Sequence, residues 1–396
     1  MRVGWVRLKH AVDINARDLP DNTDPAYEFR YVDIGGVGRG ELVEDPARIA
    51  FADAPSRARR LVRSGDTVVS TVRTYLRAVW PVRGDTGDLV VSTGFAVLSP
   101  RPELDAQYLG WLAQSDVVID EIVARSVGMS YPAINGSEVG DIEVPLPPLA
   151  RQRAISAYLG AEIQALDDVL NKKRRLVELL QERIDSSIME HVGRSQIVGG
   201  DREVRALPMR RLLAKVERPP QPGAPTVTAF RDGQVTARSL RRSEGFTESW
   251  TDEARVQGVR RGDVVVHGLD GFAGAIGTSE ADGVCSPVYQ VCSVADGGDE
   301  DFYGRMLRLL ATTGYLGNFA TSTRERAVDF RNWDLFGRIP IPEVGPAEQR
   351  RIGDRIRGLA PIREAVARSG MLILERKQAL ITAAVTGQIE IPGVAA

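Results

Sequence analysis

The stretch GDIEVPLPPLARQRAI at residues 140–155 is answered by GRIPIPEVGPAEQRRI at residues 337–352. Matching positions lie 197 apart: Pro145 and Pro342, Gln152 and Gln349, Ile155 and Ile352. Asn135 and Asn332 keep that offset, and so do the pairs Gly65-Asp66 and Gly262-Asp263. A single offset held across some 90 residues of otherwise dissimilar sequence marks an internal duplication. The 396-residue chain is therefore expected to fold as two copies of one unit, with common punctuation and different interiors.

Each copy keeps one order. The Gly-Asp turn feeds a β-branched run, residues 67–69 or 264–266, which predicts a strand. Further on, AQYLGWLAQS and DFYGRMLRLL predict a short helix. A proline-bearing stretch then leads into a long helix, because proline holds an extended entry yet is tolerated in the first helical turn.

The first long helix is the plainest element. Ile155, Leu159, Ile163, Leu166, Leu170, Val177, Leu180 and Ile184 step by fours and threes, with the vacant heptad position held by Lys173. Such a seam packs against a partner helix. From Pro148 to Glu190 it would run roughly 60 Å at 1.5 Å per residue. In the second copy Ile352, Ile356, Leu359, Val366, Ile373, Leu380 and Ala384 mark a similar stripe. Pro361 predicts a kink or a restart there, and Ser369-Gly370 a weak point. The shared offset predicts equivalent places for the two helices and antiparallel pairing about a local two-fold axis. The expected class is α/β: domains at 1–147 and 199–345 alternate with long helices at 148–198 and 346–396.

Composition narrows the function classes. Apolar residues make up 43% and charged residues 26%, a globular balance with enough mass for more than one core. No run approaches the roughly 18 apolar residues needed to cross a bilayer. MRVGWVRLKHAVDIN has no apolar signal core, so a cytoplasmic setting without membrane partners is expected. Cys285 and Cys292 make neither a disulfide framework nor a metal-ligand spacing.

Net charge is −2, with 16 Lys+Arg against 21 Asp+Glu in residues 1–147 and 19 against 20 in residues 201–345. A nucleic-acid face must therefore be a local patch. Only Lys9, Lys172, Lys173, Lys215 and Lys377 are lysine, leaving 46 arginines. The arginine fork suits phosphate or guanine, although a GC-rich genome accounts for such a bias as well.

These features resemble one family. DIEVPLPPLARQRAI resembles the segment closing a target-recognition domain in the specificity subunits of type I restriction-modification systems. LERKQALITAAVTGQIEI is similar to the ending of those subunits, and SGDTVVST to their turn-strand element. The order domain, helix, domain, helix matches over essentially the whole chain. The resemblance implies a non-catalytic scaffold whose two recognition domains each read one half of a split, asymmetric target on double-stranded DNA. It implies two docked modification subunits, which bind S-adenosylmethionine and methylate adenine. It further implies restriction subunits using ATP and Mg, and no cofactor in this chain. A stiff helix pair suits that task. Two readers on one duplex face sit about one turn, roughly 34–36 Å, apart, and a flexible linker would not hold such a spacing.

Catalytic alternatives find little support. YVDIGGVGRGEL suggests a glycine loop between Gly35 and Gly40, as in a single-chain methyltransferase cofactor site. The second copy has VTAFRDGQVT there, and no Asn/Asp-Pro-Pro-aromatic tetrapeptide occurs. Metal-dependent nuclease centres need clustered carboxylates with lysine, yet Lys9 and Lys215 are the only lysines of the two variable domains. His10, His191 and His267 are scattered, and no Walker phosphate loop occurs. A coiled-coil adaptor that reads no DNA is the other alternative.

Binding candidates lie in two loops per copy. After the Gly-Asp strand come Ser70, Thr71, Arg73, Tyr75 and Arg77 in the first copy and His267 in the second. Before the long helix, ARSVGMSYPAIN offers Arg125, Ser126, Ser130 and Tyr131, and ATSTRERAVDFRN offers Ser322, Thr323, Arg324, Arg326 and Arg331. Arginine can bind base edges bidentately, while Ser, Thr and Tyr can hold phosphates. Asn135 and Asn332, sharing a position, are expected to be structural.

Overall fold

The structure, a computed structural model, describes residues 4–193, 205–221, 223–241, 256–295, 297–319 and 329–392. Its helices are α1 (Ala106–Gln114), α2 (Asp116–Arg125), α3 (Gly136–Gly140), α4 (Leu149–Gly193), α5 (Glu300–Thr312), α6 (Trp333–Phe336) and α7 (Pro346–Thr386). Packing gathers the chain into two compact units. The first holds residues 1–171 and 368–396, and the second holds 172–367. Each unit therefore takes half of α4 and half of α7.

In the first unit an antiparallel sheet runs in the order Val12–Ile14, Phe95–Pro100, Thr67–Ser70, Val79–Pro81. A second four-stranded sheet runs Ala47–Ala50, Glu28–Val32, Leu89–Ser92, Ala58–Leu61, its middle pair parallel. Thr67–Ser70 and Leu89–Ser92 are buried at every position, as strands covered on both faces are. Trp5–Arg7 pairs with Glu143–Pro145 and ties the start of the domain to the entry of α4. Tyr108, Leu109 and Leu112 of α1 and Ile119 of α2 share one core with Ile155 and Leu159 of α4 and Ile381, Ala384 and Val385 of α7.

The second unit repeats the frame. Its antiparallel sheet runs Leu213–Lys215, Tyr289–Val294, Val264–His267, Ile276–Thr278. Ala206–Pro208 pairs with Pro340–Pro342. Its second layer is two antiparallel pairs, Val227–Ala229 with Val235–Ala237 and Gln257–Val259 with Gly283–Cys285, joined by a parallel bridge between Thr226 and Val284 in the strand order of the first unit's second sheet. Phe302, Met306, Leu307 and Leu310 of α5 meet Ile184, Ile188 and Val192 of α4 and Ile352 and Leu359 of α7.

The shared punctuation has a bonding basis. Gly65 and Gly262 adopt φ of +96° and +91°, a left-handed conformation that favours glycine. Asp66 then accepts the Arg63 N–H, and Asp263 the Arg260 N–H, each at 2.7 Å. Each buried carboxylate also takes an arginine, Arg17 in one unit and Arg218 in the other. Gln152 accepts the Asp105 N–H and donates to the Pro147 carbonyl, while Gln349 accepts the Asp299 N–H and donates to the Val344 carbonyl. The duplicated phrase thus encodes the same joint twice, between a sheet-bearing fold and its long helix.

The two long helices pack antiparallel within each unit. In the first, Lys377 pairs with Asp167, and Gly370 lies against Leu170, so α7 descends as α4 ascends. In the second, His191 of α4 lies 3.3 Å from Glu348 near the start of α7. The Arg351 guanidinium, helped by His191, holds the Glu348 carboxyl down to about 2. The expected seam faces inward in both units, and Ile188 and Val192 extend it beyond the residues expected from the sequence. Pro361 does not restart α7, which is assigned as helix from Pro346 to Thr386. The missing N–H removes one ladder bond, while Leu359, two residues earlier, stays buried in the core.

Candidate nucleic-acid interface

In the first unit the two candidate loops come together. The Ile134 N–H bonds the Thr71 carbonyl at 2.9 Å, and Val72 bridges Ala133. Val127 and Ala133 exchange backbone bonds of 2.9 and 3.0 Å and close a hairpin whose tip carries Met129, Ser130 and Tyr131. Met129 is fully exposed, and Val127 and Tyr131 largely so. Beside the tip, the Arg73 guanidinium lies 5.1 Å from the Tyr131 ring centre, a cation–π pair. Arg73 and Arg77 both sit at φ +53°, costly for side chains with a Cβ. Exposed Tyr75 and Leu76 lie between them.

The candidates divide by what they already bond. Ser70 and Thr71, offered as DNA contacts from sequence, are 2% and 7% exposed. Their hydroxyls donate to the Val72 and Gly94 carbonyls at 2.5 and 2.9 Å, so they hold the loop rather than face a ligand. Ser126 is likewise occupied by the Ile122 carbonyl at 2.6 Å. Arg125 pairs with Glu121 at 2.7 Å, and Arg77 with Asp120 at 3.2 Å. Arg73, Tyr75, Ser130 and Tyr131 are exposed and gathered on one loop pair.

In the second unit His267 is mostly buried, and burial pushes its pKa below the ordinary histidine value. Its Nδ1 accepts the N–H groups of Leu269 at 3.2 Å and Asp270 at 2.9 Å, so the neutral ring carries its proton on Nε2. Arg331 is exposed and forms a bidentate pair with Asp329, shortest contact 2.6 Å. The Arg331 guanidinium holds the Asp329 carboxyl below its usual range. Ser322, Thr323, Arg324 and Arg326 lie outside the described residues.

Sequence reasoning missed the chief feature of this unit. An open cavity of about 610 Å³ is lined by Arg231, Arg238 and Arg241 together with His267, Phe230 and Tyr289. The signal was present in RDGQVTARSLRR, where a tight Asp-Gly turn between two strands brings arginines at its ends onto one side. Asn135 and Asn332 do have the structural role expected of them. Asn135 opens α3, its N–H bonded to the Glu138 carboxylate at 2.8 Å, and Asn332 caps α6 through the Asp334 N–H at 3.0 Å.

The glycine loop suggested as a cofactor cradle is stitched into the fold. The N–H groups of Gly36, Gly38 and Gly40 bond the carbonyls of Asp33, Glu41 and Val79. A Cβ on Gly40, at φ +98°, would stand 2.2 Å from the Gln114 side-chain oxygen. The glycine therefore serves close packing. Among the described residues no group of three His, Cys, Asp or Glu has metal-binding geometry. Burial raises both cysteine thiols to about 12, far from nucleophilic use. Among the described residues no helix is long and apolar enough to cross a membrane.

Comparison with known proteins agrees with this architecture. No family model matches the chain. The type I restriction enzyme MjaIX specificity subunit of Methanocaldococcus jannaschii is 25% identical over 93 residues, covering 24% of this chain. That match spans about a fifth, 21%, of the relative's length. A chain solved in work on complex assembly and conformational transition of the type I R-M system superposes with a TM-score of 0.61. It is 22% identical and covers 98% of this chain and 100% of its own. The HsdS subunit from Thermoanaerobacter tengcongensis gives a TM-score of 0.47 at 22% identity, covering 98% of this chain and 97% of that one. Over those 93 residues the chain is similar to a type I specificity subunit, and over its length it has the fold of the chain solved in work on the type I R-M system.

Proposed function

We propose that this chain is the DNA-specificity subunit of a type I restriction-modification complex and makes or breaks no covalent bond itself. Residues 1–147 and 199–345 are its two target-recognition domains, and residues 148–198 and 346–396 its spacer helices and tail. Each domain reads one part of a bipartite, asymmetric target on double-stranded DNA. The spacers relate the domains by a pseudo-two-fold axis and dock two modification subunits, which carry S-adenosylmethionine. Restriction subunits supply ATP- and Mg-dependent cleavage, and the assembly works in the cytoplasm in defence of the cell.

One observation supports this reading above the others. The two units share a frame bond for bond, at Asp66 and Asp263 and at Gln152 and Gln349, yet carry unlike side chains on it, the Arg73–Tyr131 pair in the first and the cavity of Arg231, Arg238 and Arg241 in the second. A common mount with unlike faces is what an asymmetric two-part target requires.

Mapping methylated adenines in DNA from cells with and without the chain tests the proposal. A bipartite methylated motif that vanishes with the chain is the expected result. Full methylation without it, or DNA binding by the assembly that is salt-sensitive but indifferent to sequence, would instead favour a protein adaptor.

A further inference from the structure

The arginine-lined cavity of the second unit is built for planar recognition more than for charge. Arg241 lies over the Phe230 ring, its guanidinium carbon 4.3 Å from the ring centre, and Asp232 accepts from its Nη1 at 2.7 Å. The guanidinium plane is thereby fixed, and its other N–H groups are those a ligand would meet. Arg231 is held by Asp270 at 3.0 Å, and the Arg238 Nε donates to the Thr228 hydroxyl at 2.8 Å. His267 closes one side, its ring edge-on to Tyr289 at 4.6 Å, with Nε2 as its donor.

The Arg231 and Arg241 guanidiniums face the carboxylates of Asp270 and Asp232, so the cavity attracts a phosphate weakly for its arginine content. Its oriented donors remain. We infer that this cavity is a guanine-reading pocket, in which Arg241 meets the O6 and N7 acceptors of a guanine edge and the His267 Nε2–H adds a further donor. This rests on the DNA-reading function proposed above and assigns part of it to residues outside the loops singled out from sequence. Guanine alone among the bases presents two adjacent acceptors in the major groove, which an arginine fork meets bidentately. Burial favours the neutral His267 ring against the opposing pull of Asp270, whose carboxylate lies 3.8 Å from Nε2, and the charges of Arg231 and Arg238 add to the effect of burial.

The test uses the full-length chain assembled with type I modification subunits and a library of random-sequence duplexes, from which bound DNA is sequenced. The unmodified chain should enrich a bipartite motif with a guanine in one part. Arg241→Ala should lower the preference for that guanine roughly 10- to 100-fold, leaving the other part of the motif and the salt dependence unchanged. Arg241→Lys, which keeps charge and bulk, should fail in the same way because it lacks the fork. It also serves where the alanine variant does not fold. His267→Gln should weaken the same position.

Uniform loss of affinity with a shallower salt slope would mean a phosphate contact and overturn the inference. An unchanged motif in both Arg241 variants would do so as well. If the unmodified chain enriches no motif at all, the DNA-reading function itself fails and the pocket assignment falls with it.

Discussion

The side-chain amide of Gln152 accepts the backbone N–H of Asp105 at 2.7 Å and donates to the Pro147 carbonyl at 2.8 Å and the Glu103 carbonyl at 2.9 Å. Asp105 in turn caps α1 through the N–H groups of Gln107 and Tyr108. A single buried side chain near the start of α4 thus fixes where the preceding domain's helix begins. Gln349 repeats the arrangement, with Asp299 at 3.0 Å and an added contact to the Tyr303 hydroxyl at 3.1 Å.

Truncating either glutamine leaves buried backbone groups without partners. Gln152→Ala and Gln349→Ala are each expected to destabilise the chain by about 2–4 kcal/mol, more than one exposed hydrogen bond is worth. Denaturant unfolding of each variant measures this. A change below about 0.5 kcal/mol would show that water replaces the side chain without loss.

Arg73 holds a strained backbone and an exposed aromatic contact at once. Arg73→Gly removes the left-handed strain, so stability should be unchanged or raised by up to about 1 kcal/mol. The same change removes the guanidinium over Tyr131, and duplex binding by the assembled complex should weaken roughly tenfold. Melting temperature and binding, measured on one preparation, should thus move in opposite directions or binding alone should move. Loss of both together would assign Arg73 to the fold.

His267 makes stability depend on pH. Its folded pKa is depressed, so between that value and about 6.5 the unfolded chain binds a proton that the folded one does not. Its contribution is complete above pH of about 6.5 and is lost as pH falls below it. The melting difference between the unmodified chain and His267→Gln should therefore shrink from pH 7.5 to pH 5.5. A difference constant over that interval would contradict the assignment.

Cys285 and Cys292 are both buried, with thiols raised to about 12. At pH 8 a thiol-specific disulfide reagent should react with neither in the folded chain and with both after denaturation, followed by absorbance. Rapid reaction of either thiol in the folded chain would mean that its side of the second unit opens readily.

Much of the frame was legible because it depends on short-range rules. A Gly-Asp turn needs positive φ and a nearby acceptor, a proline-rich entry suppresses early helix, and a four-and-three apolar step needs a partner. Those rules located the duplicated joints, the inward seam of α4 and the capping roles of Asn135 and Asn332. They failed on one of the two outcomes offered at Pro361, the restart, since the helix runs on through it. They failed again at Ser70 and Thr71, whose hydroxyls suit phosphate but are taken up by carbonyls two and 23 residues away in sequence.

From its residues alone, the chain specified a doubled architecture and two long helices with apolar seams. Repetition and periodicity are written along one dimension, so one dimension suffices to find them. Which side chains face outward was decided by folding. Arg231, Arg238 and Arg241 meet His267 only because a tight hairpin and the strand ending at His267 are packed together. Such proximity depends on pairs of residues far apart in sequence, and no local pattern records it.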